Sequence, residues 1–210
     1  MGTHIDQSAA IITHVTSLRD AGLAALAYYY FDFRDEEKKT PRSFVASILT
    51  QLSAYSEPCC DIIFRLYSAH EKGAQQPSTG VLINCLKEVL KVVAQQPAYI
   101  IIDALDECPN TSELPTSRAV LLDLLKDLVD LHIQNLHICV TSRLETDIKI
   151  VLEPLANSAV SLHDESGQQK DISDYVKKVV YSDHSATMRR WRDDDKLLVI
   201  EALSERAGGM

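Results

Sequence analysis

The sequence has no CxxC pair and no Cys/His quartet at zinc spacing, although it carries five cysteines, Cys59, Cys60, Cys85, Cys108 and Cys139. That excludes a zinc finger or ribbon and leaves thiols that read as reduced and mostly buried, as in a cytosolic protein. Cys139 follows His137 by two residues, but neighbours at that spacing share a strand face by alternation alone, which points to packing rather than metal binding. No apolar run approaches the ~20 residues of a membrane span, and the N-terminus has no apolar signal region. The expectation is a cytoplasmic chain that is neither secreted nor inserted into a membrane. Positive charge is also short, with 21 Lys and Arg against 30 Asp and Glu and a net charge of -9. Such a balance repels a phosphate backbone and speaks against nucleic acid as a partner. The one basic cluster, Arg189, Arg190 and Arg192 around Trp191, runs directly into Asp193, Asp194 and Asp195. It reads as a solvated helix face with its own counterions, the alternative being a local docking patch. Neither an internal repeat nor a low-complexity tract is present.

What is there suits one sizeable α/β core. The chain has 210 residues, 46% of them hydrophobic and 24% charged, ordinary values for a folded globular chain. Ile11, Ile12, Val15 and Leu18 fall at helical spacing between Ser8 and Ala21, and Gly22 is placed to end that helix. The apolar and aromatic run from Leu23 to Phe33 predicts a strand buried on both faces. Thr40 and Pro41 make a helix start, followed by Phe44, Ile48 and Leu52. Further helices are expected over Cys60 to His70 and Val81 to Val93, separated by loop chemistry from Glu71 to Gly80. Tyr99 to Asp103, YIIID, reads as a buried parallel strand. Leu121, Leu124, Leu125 and Leu128 mark a helix, and Leu136 to Thr141 a strand. Ala159 to Leu162 is a shorter strand candidate, and Ile172 to Val180 and Lys196 to Leu203 read as closing helices. Strands alternating with helices predict a parallel sheet wrapped on both faces.

In an open parallel sheet, ligands bind beyond the carboxyl ends of the strands. One strand here runs into Asp103, Ala104, Leu105, Asp106, Glu107 and Cys108; another ends in Thr141, Ser142 and Arg143. A carboxylate at a strand tip can hold hydrated Mg²⁺, the role that suits Asp103. A nearby glutamate can orient or deprotonate a water, which suits Glu107. An arginine on the neighbouring tip can sense or stabilise phosphate charge, which suits Arg143. Asp106 is either a neighbour of the metal or a solvated turn carboxylate. The plain alternative for the whole set is that the acids cap the next turn and Arg143 pairs with one of them.

YIIIDALDEC resembles the Walker B segment of NACHT-type NTPases, the signal-transducing P-loop class, and CVTSR is similar to the strand-tip sensor segment that follows it. LAYYYFDFRDEEKKTPRSFVASILTQL resembles the strand and helix between the P-loop and Walker B of the fungal members that carry nephrocystin-like N-terminal regions, and ERAGGM also fits their pattern. The resemblance covers the chain from about Ser8 onward. It implies Asp103 on Mg²⁺ with Asp106 beside it at the cofactor, Glu107 near the hydrolytic water, Arg143 as sensor, and ATP or GTP as the nucleotide. It also implies partners among other NACHT-type or repeat-containing signalling proteins.

The family grips phosphate with a glycine-rich loop ending in Lys-Ser or Lys-Thr, and no GxxxxGK[ST] occurs in this sequence. Thr3, His4 and Ile5 stand near the expected place. Losing two or three charge-assisted hydrogen bonds removes on the order of 4 kcal/mol, a weakening of about a thousandfold. The expected fold class is therefore α/β, a three-layer parallel sheet of the P-loop NTPase type lacking the first strand and the Walker A loop. Residues 1–165 are expected to form this partial core, and residues 166–210 the C-terminal helices that begin a following helical subdomain. The expected function is that of a fragment of a nucleotide-dependent signalling NTPase, with weak or absent hydrolysis. A noncatalytic interaction module of NLR-like signalling and an NTPase completed in trans by another chain are the alternatives.

Overall fold

Three parallel strands in the order β1-β2-β3 organise the first part of the chain, which is known from a computed structural model. The structure describes residues 3–111, 115–160, 174, 176–181 and 191–207, with residues 3–10 and 204–207 described by their backbone. The chain divides into two compact units, Met1–Ala156 and Asn157–Met210.

Helix α1, Thr3–Asp20, opens the first unit and is longer than its apolar spacing predicts. It ends as the sequence suggests. Gly22 takes φ 71°, the Leu23 amide donates to Leu18 O and the Gly22 amide to Arg19 O, so the last carbonyls are satisfied by a glycine that tolerates the left-handed conformation. Strand β1, Ala25–Tyr30, is shorter than the apolar run that announced it, because the chain turns at Asp32, whose side chain accepts from the Arg34 amide and guanidinium. Helix α2, Pro41–Ser53, begins where Thr40 accepts from the Ser43 amide and proline occupies the first turn. Helix α3, Glu57–Ala69, starts three residues ahead of the expected Cys60, and α4, Thr79–Val93, is capped by Ser78. The intervening loop contains a short 3-10 turn, Glu71–Gly73, with Lys72 at φ 52°. Strand β2, Ala98–Asp103, helix α5, Ser117–Asp130, strand β3, Leu136–Val140, and helix α6, Thr146–Leu152, complete the unit.

Ala25 pairs with Ala98 and Ala98 with Leu136, and this in-register ladder sets the two faces of the sheet. On one face, Ala25, Ala27 and Tyr29 line up with Ile100 and Ile102 and pack under Phe44 and Ile48 of α2, Leu86 and Leu90 of α4, and Leu121 and Leu125 of α5, all of them buried. Small alanines on β1 leave room for the aromatic residues beside them: the Tyr29 and Phe44 rings meet edge to face at 5.5 Å. On the opposite face α1 packs against β1 and β2. Val15 is buried there against Leu26 and Ile101, with Tyr28, Tyr99 and Cys139 half-buried around them. This is a mixed α/β architecture consistent with a P-loop-type fold whose first strand is not among the described residues.

In the second unit, residues 176–180 are helical and the closing helix spans Asp193–Ala207. Its first turn holds Asp193, Asp194 and Asp195, where acidic residues favour the helix N-terminus. The Lys196 ammonium lies 5.2 Å from the Tyr181 ring centroid. Of the strand candidate over Ala159 to Leu162, the first two residues are not in a strand and the last two lie outside the described residues, as do Arg189 and Arg190.

Candidate functional site

The carboxyl ends of β2 and β3 meet at one hydrogen-bonded junction. Asp103, the last residue of β2, is buried, and its Oδ1 accepts from Thr141 Oγ1 at 2.6 Å. The same hydroxyl oxygen accepts from the Ala104 amide at 3.1 Å. Thr141 also uses its backbone, donating to Ile102 O and accepting from the Leu105 amide. Four bonds through one residue thus fix the turn by which the chain leaves β2.

That turn is strained. Ala104 sits at φ 55° and ψ 49°, the left-handed region that costs a residue with a Cβ about 1–2 kcal/mol. The conformation turns the chain at once into the short 3-10 segment Leu105–Glu107, so that Asp106 and Glu107 remain near the strand ends instead of continuing along β2.

Each of the sequence-predicted groups now has a place. Asp106 Oδ1 accepts from the Arg143 amide at 3.0 Å, and its Oδ2 lies 3.4 Å from Arg143 Nε. The Asp106 side chain is only 10% exposed while that of Arg143 is 72% exposed, so the carboxylate is built into the junction and the guanidinium remains largely in water. Glu107 Oε2 accepts from the Phe33 amide at 3.1 Å, which ties the β2 end to the segment after β1. Burial pushes up the pKa of the Tyr30 phenol and of the Cys139 thiol, and the Asp103 charge adds to both. The structure therefore brings Asp103, Asp106, Thr141 and Arg143 together, and turns Glu107 towards Phe33. Thr3, His4 and Ile5 are helical, in the first turn of α1.

Arg118 is the member of this region that the sequence reading did not single out. It is 8% exposed, on the first turn of α5, and its guanidinium donates to Cys108 O at 2.9 Å, to Asp106 O, and to both carboxylate oxygens of Asp147 at 3.3 and 3.4 Å. A signal did exist. Arg118 stands three and seven residues before Leu121 and Leu125, on the stripe of α5 that is otherwise leucine.

A protein-family description, Nephrocystin 3, N-terminal, matches residues 7–143. The chain belongs to the Nephrocystin 3, N-terminal family. The span matched runs from α1 through all three strands to Arg143, and so takes in the whole junction of this nephrocystin-type domain. No curated protein and no solved structure matches the chain. Among the described residues of the domain, no helix is long and apolar enough to cross a membrane, and no three His, Cys, Asp or Glu side chains gather as a metal site.

Proposed function

We propose that the junction is the magnesium side of a nucleotide site in a NACHT-like signalling domain, with Asp103 as its metal-binding carboxylate. The observation that carries this reading is a buried carboxylate at a strand's carboxyl end, oriented through one oxygen by Thr141. Magnesium takes one or two carboxylates and keeps several waters. A single fixed aspartate therefore fits this ion, whereas a three-carboxylate cage is not needed. When bound, Mg²⁺ would neutralise charge on the phosphates of ATP or GTP.

The remaining roles belong to this chain's own groups. Asp106 holds Arg143 by its backbone amide and leaves the guanidinium exposed, able to reach phosphate oxygens. Glu107 is anchored at the Phe33 amide through Oε2, and orienting a water falls to its other oxygen. Because the 210 residues contain no GxxxxGK[ST], binding by this chain alone is weak and turnover slow or absent. Titration with Mg-ATP and Mg-GTP, with and without free Mg²⁺ removed, tests the reading. The Asp103→Asn variant is expected to lose the magnesium-dependent part, and an unchanged titration sinks the proposal.

A second reading has its own support. Asp106 and Glu107 are both engaged in internal hydrogen bonds, as expected of a noncatalytic module that keeps the fold to associate with other NACHT-type or repeat-containing signalling proteins. Association with such a partner that survives Asp103→Asn, in a chain that binds no nucleotide, favours this reading.

A further inference from the structure

We infer that Arg118 is the positioning residue of the junction, the group that sets where the Asp106 and Glu107 carboxylates point. The inference rests on the reading of those carboxylates as parts of a nucleotide site.

The loop after β2 is tied to Thr141 at its start and to Arg143 and Phe33 through its carboxylates, and Arg118 is the donor its later carbonyls share. Between the strained Ala104 and the start of α5, the carbonyl oxygens of Asp106, Cys108 and Pro109 all accept from one residue: the first two from the Arg118 guanidinium, the third from the Arg118 amide at 3.0 Å. A planar guanidinium with donors in fixed directions can fix two carbonyls and a carboxylate at once, which a lysine ammonium on a flexible stem cannot. The charge is buried, with the side chain 9% exposed, and is balanced by Asp147 of α6, which also accepts from Asn110 Nδ2 at 3.0 Å.

The segment after β3 is therefore tied both to the loop after β2 and to α5: Asp106 reaches Arg143, Asn110 reaches Asp147, and Arg118 of α5 reaches Asp147 as well. Fixing the Asp106 carbonyl fixes its side chain's origin, and fixing the carbonyls on both sides of Glu107 does the same for that carboxylate. Thr141 holds Asp103 by a separate route that involves no bond to Arg118. Arg118 thus governs Asp106 and Glu107 and leaves Asp103 alone.

This division can be read from amide hydrogen exchange followed by NMR on the whole chain. The Arg143 amide reports on Asp106, the Phe33 amide on Glu107, the Ala104 amide on Thr141, and Ile100 to Ile102 on the sheet. In Arg118→Met, exchange at Phe33 and Arg143 is expected to quicken about tenfold, with Ala104 and the sheet amides unchanged. If Arg118→Met does not fold, Asp147→Asn and Arg118→Lys supply the test, each with a smaller change at the same two amides. Unchanged exchange at Phe33 and Arg143, or an equal loss of protection across the sheet, overturns the inference. A wild-type chain that binds no Mg-nucleotide overturns the functional reading instead, and the exchange pattern then shows whether Arg118 still orders the loop.

Discussion

Gln51 of α2 occupies both backbone groups of Tyr28 that face away from the sheet: its Nε2 donates to Tyr28 O at 2.8 Å and its Oε1 accepts from the Tyr28 amide at 3.0 Å. A side-chain amide stands where the next strand's backbone would be, and so closes the β1 edge against strand addition. Replacing Gln51 with leucine leaves a half-buried donor and acceptor without partners. We expect a loss of about 1–3 kcal/mol in urea unfolding, seen as a lower midpoint at unchanged slope. A midpoint that does not move contradicts this role.

Thr141 and its substitutions separate hydroxyl from shape. Thr141→Val keeps the β-branched volume but takes the hydrogen bond from the buried Asp103 carboxylate and from the Ala104 amide, and should cost about 1.5–3 kcal/mol. Thr141→Ser keeps the hydroxyl and should cost much less. A larger loss in thermal unfolding for the serine variant than for the valine variant would show that packing, not the hydroxyl, holds the junction.

Ala104 gives the opposite sign. Its left-handed backbone is relieved by glycine, and the gain of about 1–2 kcal/mol outweighs the ~0.5–1 kcal/mol of extra chain entropy that glycine loses on folding. Ala104→Gly should therefore raise the melting temperature slightly, and a lower one would mean that the Cβ contributes packing greater than the strain.

Stability should fall at alkaline pH. Burial pushes the Tyr29 phenol up from 10.0 to about 12 and the Cys108 thiol up from 9.0 to about 12. Their folded-state pKa values lie above the unfolded ones, so in that range the folded chain binds more protons and stability declines as pH rises. The contribution is intact below about pH 9 for Cys108 and about pH 10 for Tyr29, and is lost towards pH 12. The Tyr29 hydroxyl is buried with Ser43 beside it and makes no well-formed hydrogen bond, so Tyr29→Phe removes one cause at little cost. Tyr29→Phe and Cys108→Ala together should flatten the urea midpoint between pH 8 and pH 10.5; a slope that remains assigns the alkaline loss to other groups.

Much of the layout could be read from local chemistry. Thr40 with Pro41, Gly22 and the YIIID run act over a few residues, and each appears where the pattern puts it. The ends of β1 were less legible, because an apolar run does not reveal that Asp32 and Arg34 will bond to each other and stop the strand at Tyr30. Within the junction, the strand-tip residues Asp103, Asp106, Thr141 and Arg143 were visible as types at the right places. Their pairing was not, since Thr141 lies 38 positions from Asp103 and only the β2-β3 register joins them. Arg118 was masked by its charge, because an arginine in the first turn of a helix reads as solvated until the carbonyls around it are known.

The most direct measurement is an NMR titration of the chain with Mg-ATP and with Mg-GTP, following the amides of Ala104, Thr141 and Arg143. Shift changes confined to the strand ends, on the order of millimolar in affinity, lost with chelator and in Asp103→Asn, are the predicted result. Absence of any change, or changes indifferent to magnesium and to Asp103, would contradict the assignment of this junction as the magnesium side of a nucleotide site.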